Sequence, residues 1–301
     1  MFLLSSALPF PDILFPIFAA GLYCVSIMLA KYASRSGTFS GTSVLVMNNI
    51  LSGLVFIPTI FFEETMPNWS LVWQPLSASC FCAIGNIATF VCAERGEVSL
   101  MTPIMGIKIM FVILFARILL DTNMPHTITI AGAICCLAVF IMGWSKNSLR
   151  TKKLGITLLL SFTACISYAM CDVIMQKYAP NFSRNAMLSL TSVAMPLSII
   201  PFLPRFFKDV SHSSKATLAI SGMSAGLMIM EMYLMFLSIV GEVGAALCNI
   251  LYNTRGIMSV VLMFVVGKFV VDMKELSKAS ALQRIVGATM ILIAVIIVIY
   301  K

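Results

Sequence analysis

Charge is what this chain has least of. Only 11% of its 301 residues are Asp, Glu, Lys or Arg, and there are two histidines, His126 and His212. A soluble domain carries roughly 25% charged residues, so a soluble globular surface is excluded. The cations are scattered through short connections, and the net charge of +8 is therefore no nucleic-acid footprint. Neither histidine has a nucleophile or a carboxylate pattern around it, and no stretch resembles an ATP-binding motif. No catalytic site, metal centre or cofactor is expected. The nine cysteines fall inside apolar segments. Cys80 with Cys82, and Cys135 with Cys136, have the look of zinc pairs, but no further ligands accompany them. They read as buried thiols.

Apolar residues are what the chain has in excess, at 60% hydrophobic and a mean hydropathy of +1.00. A bilayer-spanning helix needs roughly 17 to 25 apolar residues. Windows of that size predict ten spans: Ile13–Ala30, Thr42–Phe61, Leu71–Cys92, Val98–Leu119 and Thr127–Trp144, then Leu154–Met175, Met187–Leu203, Ala216–Val240, Val243–Val266 and Ala281–Tyr300. The seventh is the weakest, because Pro196 and Pro201 interrupt it. The first lacks a basic start and a small-residue cleavage site, so it is expected to remain as a helix. Trp69, Trp73 and Trp144 fall at predicted helix ends, as an interfacial aromatic belt requires. The partner this composition implies is the lipid bilayer, with the chain multi-pass in a plasma (inner) membrane.

The basic linker Ser145–Lys153 divides the chain into five helices (1–145) and five more (153–301). Short words recur across it in the same order. Lys31-Tyr32-Ala33 is matched by Lys177-Tyr178-Ala179 at an offset of 146, and Gly96-Glu97-Val98 by Gly241-Glu242-Val243 at 145. Ile130-Ala131-Gly132-Ala133 is matched by Ile285-Val286-Gly287-Ala288 at 155. An odd number of helices per repeat inverts the second half, and transporters built this way place their substrate near the midplane where the repeats meet. The expected fold is therefore an all-α membrane protein of ten transmembrane helices in two inverted five-helix repeats.

These features resemble the drug/metabolite transporter superfamily, specifically its EamA-like branch. The resemblance rests on the two five-helix repeats, on Pro103 following Gly96-Glu97-Val98-Ser99 in the fourth helix, and on Ile130-Ala-Gly-Ala echoed at Ile285-Val-Gly-Ala. It implies a basket of helices that carries a small metabolite, with the third, fourth, eighth and ninth helices lining a central cavity. The ninth helix departs from the pattern: it has no proline and carries Asn249, Tyr252, Asn253 and Arg255 instead.

Two cations sit near the centres of predicted spans, Lys108 in the fourth and Arg255 in the ninth. Holding such a charge in hydrocarbon is costly, so each should face protein or a wet cavity. Arginine suits a carboxylate or phosphate and lysine offers a point charge, so both are candidate substrate contacts. The alternative is neutralisation within the protein by Glu231 in the eighth helix or Asp172 in the sixth. Glu231 has a second reading as a proton carrier, and Asn86 takes its place in the first half at an offset of 145. Asn249 and Asn253, spaced i, i+4, share a face with Tyr252 beside them, either as a cavity wall or as interhelical hydrogen-bond glue. Asn48 and Asn49 read as glue, Glu97 and Glu242 as complements to helix dipoles, and Gly222 with Gly226 as a close-packing GxxxG pair.

The expectation is a non-enzymatic secondary transporter of a small organic solute bearing an acidic group. The alternatives are an exporter of neutral or cationic compounds and a membrane receptor that binds without translocating. Neither oligomeric state nor solute identity follows from the residues. Fourteen lysines and arginines lie in the odd-numbered connections against four (Arg117, Lys177, Arg184, Lys301) on the other face. That places both termini outside the cytoplasm, whereas the family resemblance implies cytoplasmic termini. An enzyme active only outside the cytoplasm, fused to the C-terminus, is expected to be active if charge governs; a silent reporter rejects the charge-based orientation.

Overall fold

The computed structural model describes residues 10–34, 37–63, 67–95, 101, 104–121, 124–143, 154–270 and 278–299. The α-helices delimited among the described residues are α1 (Phe10–Ser34), α2 (Gly41–Phe56), α3 (Trp73–Arg95), α4 (Lys108–Leu119), α5 (His126–Gly143), α6 (Leu154–Tyr178), α7 (Arg184–Ser192), α8 (Ala194–Ser198), α9 (Leu203–His212), α10 (Lys215–Val240), α11 (Gly244–Tyr252), α12 (Arg255–Val270) and α13 (Lys278–Ile299). No strand occurs among the described residues. Eight helical stretches there are long and apolar enough to cross a membrane, and His126–Met142 is a shorter apolar helix. The protein is thus an all-helical, multi-pass integral membrane protein. Helix is the outcome physics demands, because hydrocarbon offers no partner for backbone N–H and C=O groups. Serines open three of the helices: Ser40, Ser183 and Ser214 each accept a backbone N–H from the first turn of α2, α7 and α10.

The seventh predicted span is broken as its prolines foretold. Over Arg184–His212 the chain runs through α7, α8, a 3-10 turn at Ile200–Phe202 and α9, with Pro196, Pro201 and Pro204 inside or opening those pieces. The ninth span corrects the sequence reading. Val243–Val266 is not one continuous helix but α11 and α12, separated at Asn253 and Thr254. There the Asn253 N–H bonds Ile250 O, the Thr254 N–H bonds Leu251 O and the Thr254 hydroxyl also bonds Leu251 O. Polar side chains beside the backbone offer it an alternative to the α-ladder, and apolarity alone does not register that competition. The fourth span breaks in the same manner. A turn at Gly106 and Ile107 precedes α4, with the Ile107 N–H on Ile104 O and the Met110 N–H on Ile107 O.

The principal helix packings are α1 on α10, α3 on α6 and α5 on α13; α4 lies on α6, and α11 with α12 lies on α1. In the first packing Ser26 and Ser224 exchange hydroxyl-to-carbonyl hydrogen bonds, each 2.8 Å. In the second, Gly85 leaves room for the Tyr168 ring, which would lie 2.8 Å from an added Cβ. In the third, Gly287 lets α13 approach α5 until a Cβ there would meet Ala138 O at 2.9 Å and the Met142 side chain. At one end of the molecule Asp209 of α9 accepts from the Ser40 N–H (3.1 Å) and from the Ser40 and Ser43 hydroxyls (2.7 Å each). Arg205 pairs with Glu94 at 2.9 Å beside it, over a cluster of Phe39, Phe90, Phe202 and Phe206.

Two smaller expectations change. Gly222 and Gly226 do not mediate close helix packing: a Cβ at either meets nothing within 4 Å among the described residues. Their face of α10 is turned away from its neighbours, which i, i+4 spacing alone does not reveal. All nine cysteines are free; seven are buried and Cys136 is half-buried, but Cys80 is exposed. Trp69 and Trp73 are exposed at the start of the third span. Trp144, Arg35, the linker at 145–153, and Gly96-Glu97-Val98-Ser99 with Pro103 lie outside the described residues. Replacing Gly287 with Val should lower the unfolding midpoint in detergent, at a cost of about 1–3 kcal/mol for overpacking. Gly222→Ala and Gly226→Ala should leave it unlowered; equal losses in all three would reject this packing.

Candidate functional site

Lys108 and Arg255 are each the first helical residue after an interruption, at the N-termini of α4 and α12 and 147 positions apart in the sequence. A helix N-terminus carries a partial positive charge and unpaired N–H groups. A cation there is the wrong sign for the dipole, and both sites therefore concentrate positive potential. Neither cation faces outward. The Lys108 Nζ lies 2.7 Å from Asp172 Oδ2 of α6, with the two side chains 20% and 9% exposed. The Asn249 amide of α11 donates to the same Oδ2 at 2.8 Å and to Ala245 O at 2.9 Å. Asp172 thus ties α4, α6 and α11 together through one oxygen.

Arg255 is held differently. Its guanidinium stands over two aromatic faces, Tyr252 at 4.8 Å and Tyr23 of α1 at 5.2 Å, and those rings meet edge-on at 6.0 Å. Glu231 is buried in α10, with Tyr252 and Arg255 among its neighbours. It is not, however, within ion-pair distance of Arg255: among the described residues only Lys108–Asp172 and Arg205–Glu94 are. A desolvated cation–π contact contributes about 2 kcal/mol, and insertion scales put a central arginine at about 2.5–3.5 kcal/mol. Two aromatic faces therefore offset most of the cost without consuming the guanidinium's donors.

The remaining predicted residues divide. Asn86 donates to Asn49 Oδ1 (2.9 Å) and accepts from the Tyr168 hydroxyl (2.8 Å), while Tyr168 also meets the Thr89 hydroxyl at 3.3 Å. The Tyr168 ring lies 5.9 Å beneath Lys108, which places Asn86 one residue away from the charged cluster. Asn253 is buried, and its Nδ2 has no hydrogen-bond partner among the described residues. Glu242 is exposed just ahead of α11, whose first turn is held by Gln176: the Ala245 N–H donates to Gln176 Oε1 at 2.8 Å. Gly244, at φ +74°, supplies the left-handed bend before it, where a Cβ would strike Gln176 Nε2.

Sequence reasoning missed Tyr23 and Tyr168. A signal existed, for the two are 145 positions apart, the offset that relates Asn86 to Glu231. Each lies under the cation of a different span. Tyr23, Asn86, Thr89, Lys108, Tyr168 and Arg255 are half-buried, and Asp172, Glu231, Asn249 and Tyr252 beside them are buried.

No family model matches this sequence, and no curated protein matches it either. The fold is known. A solved structure described only as "Crystal structure of protein" matches with a TM-score of 0.69 over 95% of this chain and 96% of that one, at 11% sequence identity. At that identity the likeness shows the fold alone.

A buried pair loses most when one partner goes, because an uncompensated charge is left behind. Lys108→Met alone should destabilise the protein by roughly 3–5 kcal/mol, whereas Lys108→Met with Asp172→Leu should come close to wild type. Chemical unfolding in detergent measures both. A double variant as unstable as the single one would show that Lys108 and Asp172 do not act as a pair.

Proposed function

We propose that this protein is a secondary active transporter that moves a small organic solute bearing an acidic group by alternating access. It is built as ten membrane segments in two inverted five-helix repeats of the drug/metabolite transporter, EamA-like kind, residues 1–145 and 153–301, in a plasma (inner) membrane. The matched pair of interrupted helices carries this reading. The breaks at Gly106-Ile107 and Asn253-Thr254 are 147 positions apart, and each releases a helix that begins with a cation, at Lys108 and Arg255. Broken helices whose N-termini point at an anionic group are a recurring substrate device in inverted-repeat transporters, and a helix N-terminus with a cation is a natural anion site.

The packing pattern supports the two-repeat reading, because it survives exchanging the halves. The first span packs on the eighth as the sixth packs on the third, the fourth on the sixth as the ninth on the first, and the fifth on the tenth. The polar residues follow the same exchange: Lys108 over Tyr168 answers Arg255 over Tyr23, and Asn86 beside Tyr168 answers Glu231. A receptor that binds without translocating does not need that duplication. No ATP-binding motif occurs in the sequence, so a gradient or exchange drives the cycle.

Arg255 is the solute's anchor, since its donors are not spent on a carboxylate at ion-pair distance. Lys108 is engaged by Asp172, and that pair favours the second reading, an exporter of neutral or cationic compounds, only if Arg255 closes onto Glu231 in the same way. Purified protein screened against carboxylates and phosphate esters should show a rise in melting temperature with at least one of them, since a ligand selective for the folded state raises stability. Arg255→Gln should erase that rise and abolish the ligand's transport in proteoliposomes while the protein still folds. Unchanged transport removes Arg255 from the site, and rescue of both single variants by the Arg255→Glu/Glu231→Arg swap identifies a structural pair instead.

A further inference from the structure

We infer that the solute's anionic group enters this site together with one proton, taken up by Glu231, so that the cycle is an electroneutral anion–proton symport. The inference rests on the transporter reading above and adds the coupling ion and its stoichiometry. Among the described residues, four charged side chains gather near the two helix breaks, away from the outer helix ends, and they balance: Lys108 and Arg255 against Asp172 and Glu231. In a low-dielectric interior an unbalanced charge is strongly opposed. An arriving carboxylate adds one negative charge, and one of the four groups must answer it.

Three of them are unsuited. Arginine stays protonated in proteins. Asp172 Oδ2 accepts from the Lys108 ammonium and from the Asn249 amide, so the charges of that pair are already engaged with each other. Glu231 alone lacks a cation at ion-pair distance among the described residues. Tyr252 is among its neighbours, and a phenol can donate to a carboxylate or accept from a carboxylic acid. The other titratable groups near it are Tyr23 from α1, Cys248 from α11, Arg255 from α12, Lys108 from α4 and Asp172 from α6. The α2 face packed on α10 bears no charged residue. The first half places Asn86 where Glu231 stands in the second, so one proton accompanies each anion.

The step balances. A proton from water on one side binds a Glu231 carboxylate oxygen, and Arg255 is left to pair with the solute's carboxylate. The four residues plus solute again sum to zero while the site is closed to water. On the other side the anion leaves and Glu231 returns its proton to water.

Removing a permanent positive charge mimics, in charge alone, the arrival of an anion. Infrared spectra of the purified protein at pH 7 are expected to show a protonated-carboxyl band in Arg255→Gln that wild type and Arg255→Lys lack. The band should shift on labelling with carboxyl-13C glutamate but not aspartate, and should vanish in Arg255→Gln/Glu231→Gln. Should Arg255→Gln not fold, Asn249→Asp, which adds a negative charge to the same cluster, should produce a band that Glu231→Gln removes. Absence of a band in the folded variant, or one that shifts with aspartate, overturns the inference. In proteoliposomes challenged with benzoate and other monocarboxylates, an inward proton gradient should drive uptake without membrane current in wild type and not in Glu231→Gln. Uptake accompanied by current overturns the coupling. If no monocarboxylate is carried, the anion-transporter reading fails and the coupling with it, whereas the infrared result still reports on Glu231 itself.

Discussion

A charge held away from water in a bilayer must find an opposite charge or an aromatic face, and that requirement organises this protein. Lys108 meets it with a carboxylate and Arg255 with two tyrosine rings. The two cations and the groups that answer them come from six helical pieces, α1, α4, α6, α10, α11 and α12. The same requirement that neutralises the cations thus holds the centre of the bundle together. The asymmetry between the two solutions has the larger consequence: an ammonium bound to Asp172 is occupied, and a guanidinium stacked between rings keeps its donors.

The second requirement concerns the backbone. Interrupting a helix at membrane depth is tolerated where the freed groups are buried in protein or border a cavity. Both breaks here meet that condition by tightening into 3-10 turns, whose i→i+3 bonds recover part of the lost ladder. The first turn of each following helix is tied back to its break, the Met110 N–H on Ile107 O and the Gly256 N–H on Asn253 O, beside a cation. The glycines at Gly85 and Gly287 serve the surrounding frame by letting a ring or a neighbouring helix approach the backbone. At the end of the bundle Asp209 gathers three donors from the start of α2, so α9 and α2 meet at a defined point.

The frame was largely legible in the residues. Long apolar runs predict spanning helices because the bilayer leaves the backbone no alternative, and Pro196 and Pro201 mark the irregular seventh segment for the same reason. Lys108, Arg255, Asp172 and Glu231 stand out because each is expensive in its predicted surroundings. The tyrosines did not stand out. A tyrosine in an apolar segment costs little, so nothing in Tyr23 or Tyr168 announces that it lies under a cation. Gly222 and Gly226 show the converse: their spacing permits close packing, but permission is not contact, and the helix turned that face away.

Sequence alone determined that this chain lives in a membrane as helices, and that four charged residues must be accommodated inside it. Both conclusions follow from transfer costs borne residue by residue, without regard to neighbours. Tertiary structure alone decided which charge meets which: that Asp172 shares one oxygen between Lys108 and Asn249, and that Arg255 rests on tyrosines rather than on Glu231. Those pairings depend on helix rotation and on where the ladder breaks. Rotation and breakage are set by packing between segments far apart in the sequence, which no single segment encodes.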